Sequence, residues 1–229
     1  MVVASIASSA AFIKLLYPLL ARYAVVRPNA RSSHRVPTPQ GAGIAVIATT
    51  VIIAALAIYF LSGVSGDANH CAWILSATIL LAVVGALDDL LALEVLPRIL
   101  LQAVAVGIVI AALPSDLRII PIFPWWLERA LLLIGGLWFV NVVNFMDGID
   151  LMTVAGVVPI TGGLALAGTI GSLPDDAIVV ALALLGGVIG FAPFNKPVAR
   201  LFLGDVGSLP IGLLLGWLLT LLAGHGHLA

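Results

Sequence analysis

Eight apolar runs, broken only by short polar stretches, dominate this chain of 229 residues. They fall at about 3–25, 43–62, 72–87, 99–113, 129–143, 151–170, 177–194 and 209–224. A helix needs about 20 apolar residues to cross a bilayer, and eight spans account for most of the chain. Several runs are shorter, which predicts tilted spans, spans buried in the bundle, or spans that end inside the protein. The residues are 62% hydrophobic and 9% charged, against about 45–50% and about 25% in soluble domains. A water-soluble globule has nowhere to put so much apolar surface, and disorder is excluded by the same composition. The breaks carry turn residues, as in Arg27-Pro28-Asn29, Pro114-Ser115-Asp116 and Gly171-Ser172-Leu173-Pro174. The first run lacks a basic leader and holds Lys14 inside it, so it reads as a span rather than a signal peptide. The expectation is an all-α, polytopic transmembrane helix bundle of about eight spans, forming a single domain over 1–229.

Charge sets the orientation. Eight spans define one set of connections at 26–42, 88–98, 144–150 and 195–208, and a second set that includes both termini. Of ten basic residues, seven accompany the first set: Arg22, Arg27, Arg31, Arg35, Arg98, Lys196 and Arg200. By the positive-inside rule that set is cytoplasmic. A net charge of −1 gives no field for nucleic acid, and the single cysteine, Cys71, rules out an intramolecular disulfide. Trp125 and Trp126 read as interface anchors on the outer side.

The polar residues of the outer breaks read as solvated turns. Those on the cytoplasmic side abut the apolar runs or enter them. Asp88 and Asp89 end the third run with no basic neighbour in sequence. Asn141, Asn144, Asp147 and Asp150 recur every third position, and Asp205 sits between glycines just before the last run. A charge at membrane depth costs at least about 2.5–3.5 kcal/mol. Five carboxylates on one side therefore need a cation or converging basic groups. A hard divalent ion that takes one or two carboxylates plus phosphate oxygens is the economical answer. On a helix Asn141, Asn144 and Asp147 drift by about 60° per step and share a face. Asp88 and Asp89 point about 100° apart, so the two have different roles or the helix end is irregular. The basic complement is Arg31, His34 and Arg35, followed by Pro37-Thr38-Pro39 and by Gly41 and Gly43. Fixed cations, hydroxyls and accessible backbone N–H groups there suit phosphate oxygens, although the same cations also serve the orientation signal.

Four segments together carry a resemblance: PNARSSHRVPTPQGAG (28–43), GALDDL (85–90), NVVNFMDGID (141–150) and FNKPVARLFLGDVGS (194–208). In this order and spacing the chain resembles the polyprenyl-phosphate N-acetylhexosamine-1-phosphate transferases, glycosyltransferase family 4, and its wording at RSSH and PTP is similar to the O-antigen-initiating branch of lipopolysaccharide synthesis. The resemblance implies a multi-pass protein of the bacterial inner (plasma) membrane with an active-site cleft on the cytoplasmic face. It implies transfer of a sugar-1-phosphate from a UDP-sugar to undecaprenyl phosphate, with release of UMP, and Mg²⁺ as cofactor with Mn²⁺ as the alternative. It implies Asp205 as metal ligand, and Asp88 and Asp89 as catalytic groups where the lipid phosphate enters. Asn144, Asp147, Asp150 and Asn195 would face the nucleotide, Phe202 would stack on uracil, and Arg31, His34 and Arg35 would contact phosphates. Membrane lipid and a second copy in a homodimer are the further expected partners. Family members continue through one or two more spans and a histidine- and arginine-containing loop, which this chain is expected to lack. Two other readings stay open: a member that binds nucleotide or lipid phosphate without turnover, and an ion-coupled transporter.

Overall fold

The computed structural model describes residues 1–26, 36–61, 68–171 and 173–224. Its helices are α1 Val2–Tyr23, α2 Gly43–Leu61, α3 Ala68–Leu91, α4 Val95–Ala112, α5 Trp125–Met146, α6 Met152–Thr169, α7 Asp175–Asn195 and α8 Asp205–Gly224. All eight are long and apolar enough to cross a membrane. The all-α polytopic bundle expected from the apolar runs is therefore what the chain forms.

Burial sorts the helices into a centre and a rim. α7 and α8 are the most enclosed. α1, α2 and α6 pack around α7, α3 and α5 pack around α8, and α4 lies outside against α3 and α5. Apolar residues face both ways, as a bilayer requires. Phe191, Leu214 and Leu218 are buried at the centre, while Leu15, Ile52, Leu56 and Trp138 are exposed on the rim. Lipid tails are as apolar as leucine, so close packing and hydrogen bonds must join the helices rather than exclusion of water. The small residues of α7 serve this. Ala177, Ala181, Ala183, Gly186 and Gly190 are buried, and the Ser9 hydroxyl of α1 donates to the Gly187 carbonyl at 2.8 Å.

The helix ends differ from the apolar runs. α3 continues to Leu91 rather than stopping near 87, α5 reaches Met146 rather than 143, and α8 starts at Asp205 rather than 209. Apolarity reports the depth of hydrocarbon, whereas a helix continues wherever its terminal N–H and C=O groups find partners. Asp88 and Asp89 thus lie in the last turn of α3, Asn144 in the last turn of α5, and Asp205 opens α8.

A small strap closes this end of the bundle. β1 Val25–Val26 pairs antiparallel with β2 Thr38–Pro39, Val25 opposite Pro39 and Val26 opposite Thr38. Just beyond β2, Gln40 bridges to Phe202 in parallel register, which ties the first connection to the segment leading into α8.

Candidate active site

The site is built where α8 begins. Helix N-termini leave N–H groups without intrahelical partners, and here α3 supplies the acceptor. The N–H of Asp205 donates to Asp89 Oδ1 at 3.0 Å, and that of Val206 to Asp89 Oδ2 at 3.1 Å. One carboxylate caps the positive end of α8 from another helix, a favourable placement for a negative charge. Gly204 allows the approach. Its φ is +78°, and a Cβ there would stand 2.6 Å from Asp89 Oδ2.

Asp88 turns elsewhere. Its Oδ2 accepts from Arg98 Nη1 at 2.8 Å, and its Oδ1 from the N–H of Leu93 at 2.9 Å. The adjacent aspartates therefore have the different roles that their angular separation implied. The basic neighbour missing in sequence is Arg98, ten residues on and in the first turn of α4. Asp88 also interacts electrostatically with Asp205.

α5 completes the group. Asn144 Nδ2 donates to Asp205 Oδ1 at 2.8 Å and to the Ser208 hydroxyl at 2.9 Å. Asp147 accepts from the Thr153 hydroxyl. Burial pushes the Asp147 carboxyl up to about 7; the nearby charges of Asp205 and Asp89 add to this, and the Thr153 hydrogen bond opposes it. Asn141, one turn deeper, has drifted away and donates to Gln102 Oε1 on α4 at 2.7 Å. Asp88, Asp89, Asp147 and Asp205 thus gather within electrostatic range of one another, and among the described residues Arg98 is the cation paired with them.

The remaining expected residues stand around this group. Asn195 is 5% exposed. Its Oδ1 accepts the N–H of Leu151 at 2.8 Å, and its Nδ2 donates to the carbonyl of Leu201 at 3.1 Å. Asn195 so pins the turn after α5 to the loop before α8. Asp150 accepts the N–H of Ala199 at 3.0 Å, on the same loop. The carbonyl of Phe202 accepts the N–H groups of Gly41 and Ala42, both at 3.1 Å. Arg31, His34 and Arg35 lie outside the described residues.

The glycine-rich wording has a different basis from the one expected. The N–H groups of residues 41–43 were expected to be accessible to phosphate, yet all three donate to the carbonyls of Phe202 and Leu203. These glycines serve helix contact. A Cβ at Gly43 would stand 2.3 Å from Gly207 Cα, and one at Gly85 2.2 Å from the Asp205 carbonyl oxygen. α2, α3 and α8 meet backbone to backbone at this point. Sequence reasoning used Arg98 for orientation alone and passed over Ser208, Thr153 and Gln102; being on helices, they show their partnership only once the helices are assembled. Lys196 and Arg200, used for orientation alone, are exposed on the loop before α8.

Hard oxygen donors around Asp205 suit Mg²⁺. Among the described residues no three acidic, histidine or cysteine side chains converge tightly enough to hold a metal unaided.

The family model described as glycosyl transferase family 4 matches residues 71–223, from α3 to the end of α8. The chain belongs to glycosyl transferase family 4. Its relatives are transferases by name. It is 31% identical over 189 residues to the phospho-N-acetylmuramoyl-pentapeptide-transferase of Streptococcus pneumoniae (strain 70585), covering 76% of this chain and 56% of the relative. It is 28% identical over 220 residues to the decaprenyl-phosphate N-acetylglucosaminephosphotransferase of Mycolicibacterium smegmatis, covering 88% and 54%. A shorter match to the phospho-N-acetylmuramoyl-pentapeptide-transferase of Enterococcus faecalis is 43% identical over 77 residues, covering 34% and 24%. The chain thus spans about half the length of the first two relatives and about a quarter of the third. As a family 4 member with eight helices, among the described residues, long and apolar enough to cross a membrane, it is a multi-pass protein of the bacterial inner membrane.

Proposed function

We propose that the chain catalyses transfer of an N-acetylhexosamine-1-phosphate from a UDP-sugar to a polyprenyl phosphate, with release of UMP. The observation that carries this reading is Asp205, held at the head of α8 between Asn144 and Asp88 with Asp89 capping the helix behind it. In the reaction an oxygen of the lipid phosphate forms a bond to the phosphorus that bears the sugar. The bond from that phosphorus to the bridging oxygen breaks, and UMP leaves with the electron pair. Such transfers depend on positioning and charge neutralisation more than on covalent chemistry. Asp205 would hold Mg²⁺, which supplies neutralisation of the pyrophosphate oxygens. Asn144 fixes the rotamer of Asp205, and Asp89 fixes the helix that carries it. A proton remaining on the attacking phosphate would pass to Asp88, the carboxylate that interacts electrostatically with Asp205.

An apolar groove supports the lipid side of the reading. A cavity of about 390 Å³ lies between α2, α3 and α8, lined by Ile44, Val51, Ile79 and Val83 and ending at Val206, the residue after Asp205. A prenyl chain lying there would bring its phosphate to the carboxylates. The second reading is binding of nucleotide or lipid phosphate without turnover.

The test is UMP release from UDP-N-acetylglucosamine and undecaprenyl phosphate with Mg²⁺, alongside nucleotide binding by calorimetry. Asp205→Asn is expected to lower the rate by about 10²–10³ while insertion is retained, the loss seen when one fixed charge-stabilising group is removed. An Asp205→Asn chain transferring at the wild-type rate would overturn the proposal. Nucleotide binding without UMP release by the wild type would replace it with the second reading.

A further inference from the structure

The opposite end of the bundle carries a second group of buried charges. Glu128 and Arg129, adjacent in the first turn of α5, are 3% and 8% exposed. Glu128 is fully met. Its Oε1 accepts the N–H groups of Ile119 and Ile120 at 2.6 and 3.0 Å, and its Oε2 accepts from Arg118. Arg129 is met in part. Its Nη2 donates to the carbonyls of Pro114 and Leu117, both at 3.0 Å. Its Nε and Nη1 are buried with no hydrogen-bond partner among the described residues. Nor does a described carboxylate pair with it. A buried cation with idle N–H groups is costly, and an anion brought to it removes that cost.

Apolar space lies nearby. A cavity of about 430 Å³ runs between α4, α5 and α8. Leu113 and Ile119 line it, flanking the two carbonyls that hold Arg129. Leu132 and Gly136 line it from α5, one and two turns along the face that bears Arg129. Arg129 does not line the cavity itself but adjoins it through these neighbours. The cavity opens sideways at Leu131, a lining residue that is 43% exposed. Trp125 lies over the guanidinium, 5.5 Å from its carbon to the ring centroid, and is itself 54% exposed.

An anion at interface depth joined to an apolar body is the chemistry of a phospholipid. We infer that this site binds an anionic glycerophospholipid of the outer leaflet, its phosphate on Nε and Nη1 of Arg129 and an acyl chain in the cavity between α4, α5 and α8. The site lies at the far end of the bundle from the carboxylates and does not rest on the proposed reaction.

Native mass spectrometry of the purified full chain tests it, with phosphatidylglycerol and diacylglycerol of identical acyl chains offered together. Phosphatidylglycerol is expected to be retained about tenfold better, from hydrogen bonds to a charged group. Arg129→Gln is expected to erase that preference. Gly135→Leu fills cavity space where an added Cβ meets nothing within 4 Å, and is expected to lower retention of both lipids while Arg129 stays intact. Excess glycerol 1-phosphate is expected not to displace the lipid. Equal retention of the two lipids by the wild type would overturn the inference. So would displacement by glycerol 1-phosphate, which marks a simple phosphate site, or unchanged phosphatidylglycerol retention in Gly135→Leu, which marks lipid held in another groove. If Arg129→Gln fails to insert, the headgroup contrast and Gly135→Leu still decide.

Discussion

Asp89 and Val206 are joined by a 3.1 Å hydrogen bond that runs from the last turn of α3 to the first turn of α8. The capping residue of α8 is thus not its neighbour in sequence. Asp89→Ala is expected to lower stability by about 1–2 kcal/mol, the range for loss of an N-cap. Thermal unfolding in detergent measures it, and an unchanged midpoint would show that α8 does not depend on this cap.

Gly85 leaves no room for a side chain beside Asp205. Gly85→Ala would put Cβ 2.2 Å from the Asp205 carbonyl oxygen, and backbone cannot yield as a flexible side chain does. The expected loss is about 1–3 kcal/mol, as for other overpacked cores. Gly135→Ala, where no atom lies within 4 Å, is the matched control and is expected to keep stability or raise it by up to about 1 kcal/mol, the helix-propensity gain of alanine over glycine.

Asp147 makes the metal-free protein sensitive to pH. Its carboxyl is held at about 7 in the folded state, against about 3.9 when unfolded. The folded state therefore binds more protons between these values. Its contribution to stability is full below about pH 4, falls as pH rises, and is lost above about pH 7. Unfolding midpoints taken across this range without divalent ions are expected to decline, and Asp147→Asn is expected to flatten the decline. A rising profile in the wild type would contradict the assignment.

Lys196, exposed on the loop before α8, reports orientation. In a chain whose native Cys71 is replaced, Lys196→Cys is expected to resist an impermeant thiol reagent added to intact cells and to react once the membrane is opened. Labelling in intact cells would invert the topology.

The apolar runs were sufficient to read eight spans, because a bilayer imposes length and apolarity on each helix separately. The grouping of Asp88, Asp89, Asn144, Asp147 and Asp205 at one end was legible for a related reason: charges at membrane depth are rare, and span parity assigns each to a side. What each residue touches was not legible. Asp89 as a cap, Arg98 as the partner of Asp88, and Gly43 against Gly207 all depend on which helices pack together, and nothing in local periodicity encodes that. The expected use of the glycine N–H groups failed for the same reason, since the carbonyls of Phe202 and Leu203 reach them first.

The pairing of early helices with late ones has a consequence for synthesis. α1 and α2 pack against α7, and α3 against α8, so the first three helices enter the membrane before their central partners exist. Asp89 waits for N–H groups that lie 116 and 117 residues downstream. At about 5–20 residues per second that interval is roughly ten seconds. Throughout it, the Asp89 carboxylate lacks the N–H groups that it caps, whereas Asp88 finds Leu93 and Arg98 within ten residues, so the end of α3 has to stay at the membrane surface. A ribosome that stalls before α7 leaves a string of inserted helices with neither a centre nor a site, and such a product is a natural substrate for membrane quality control.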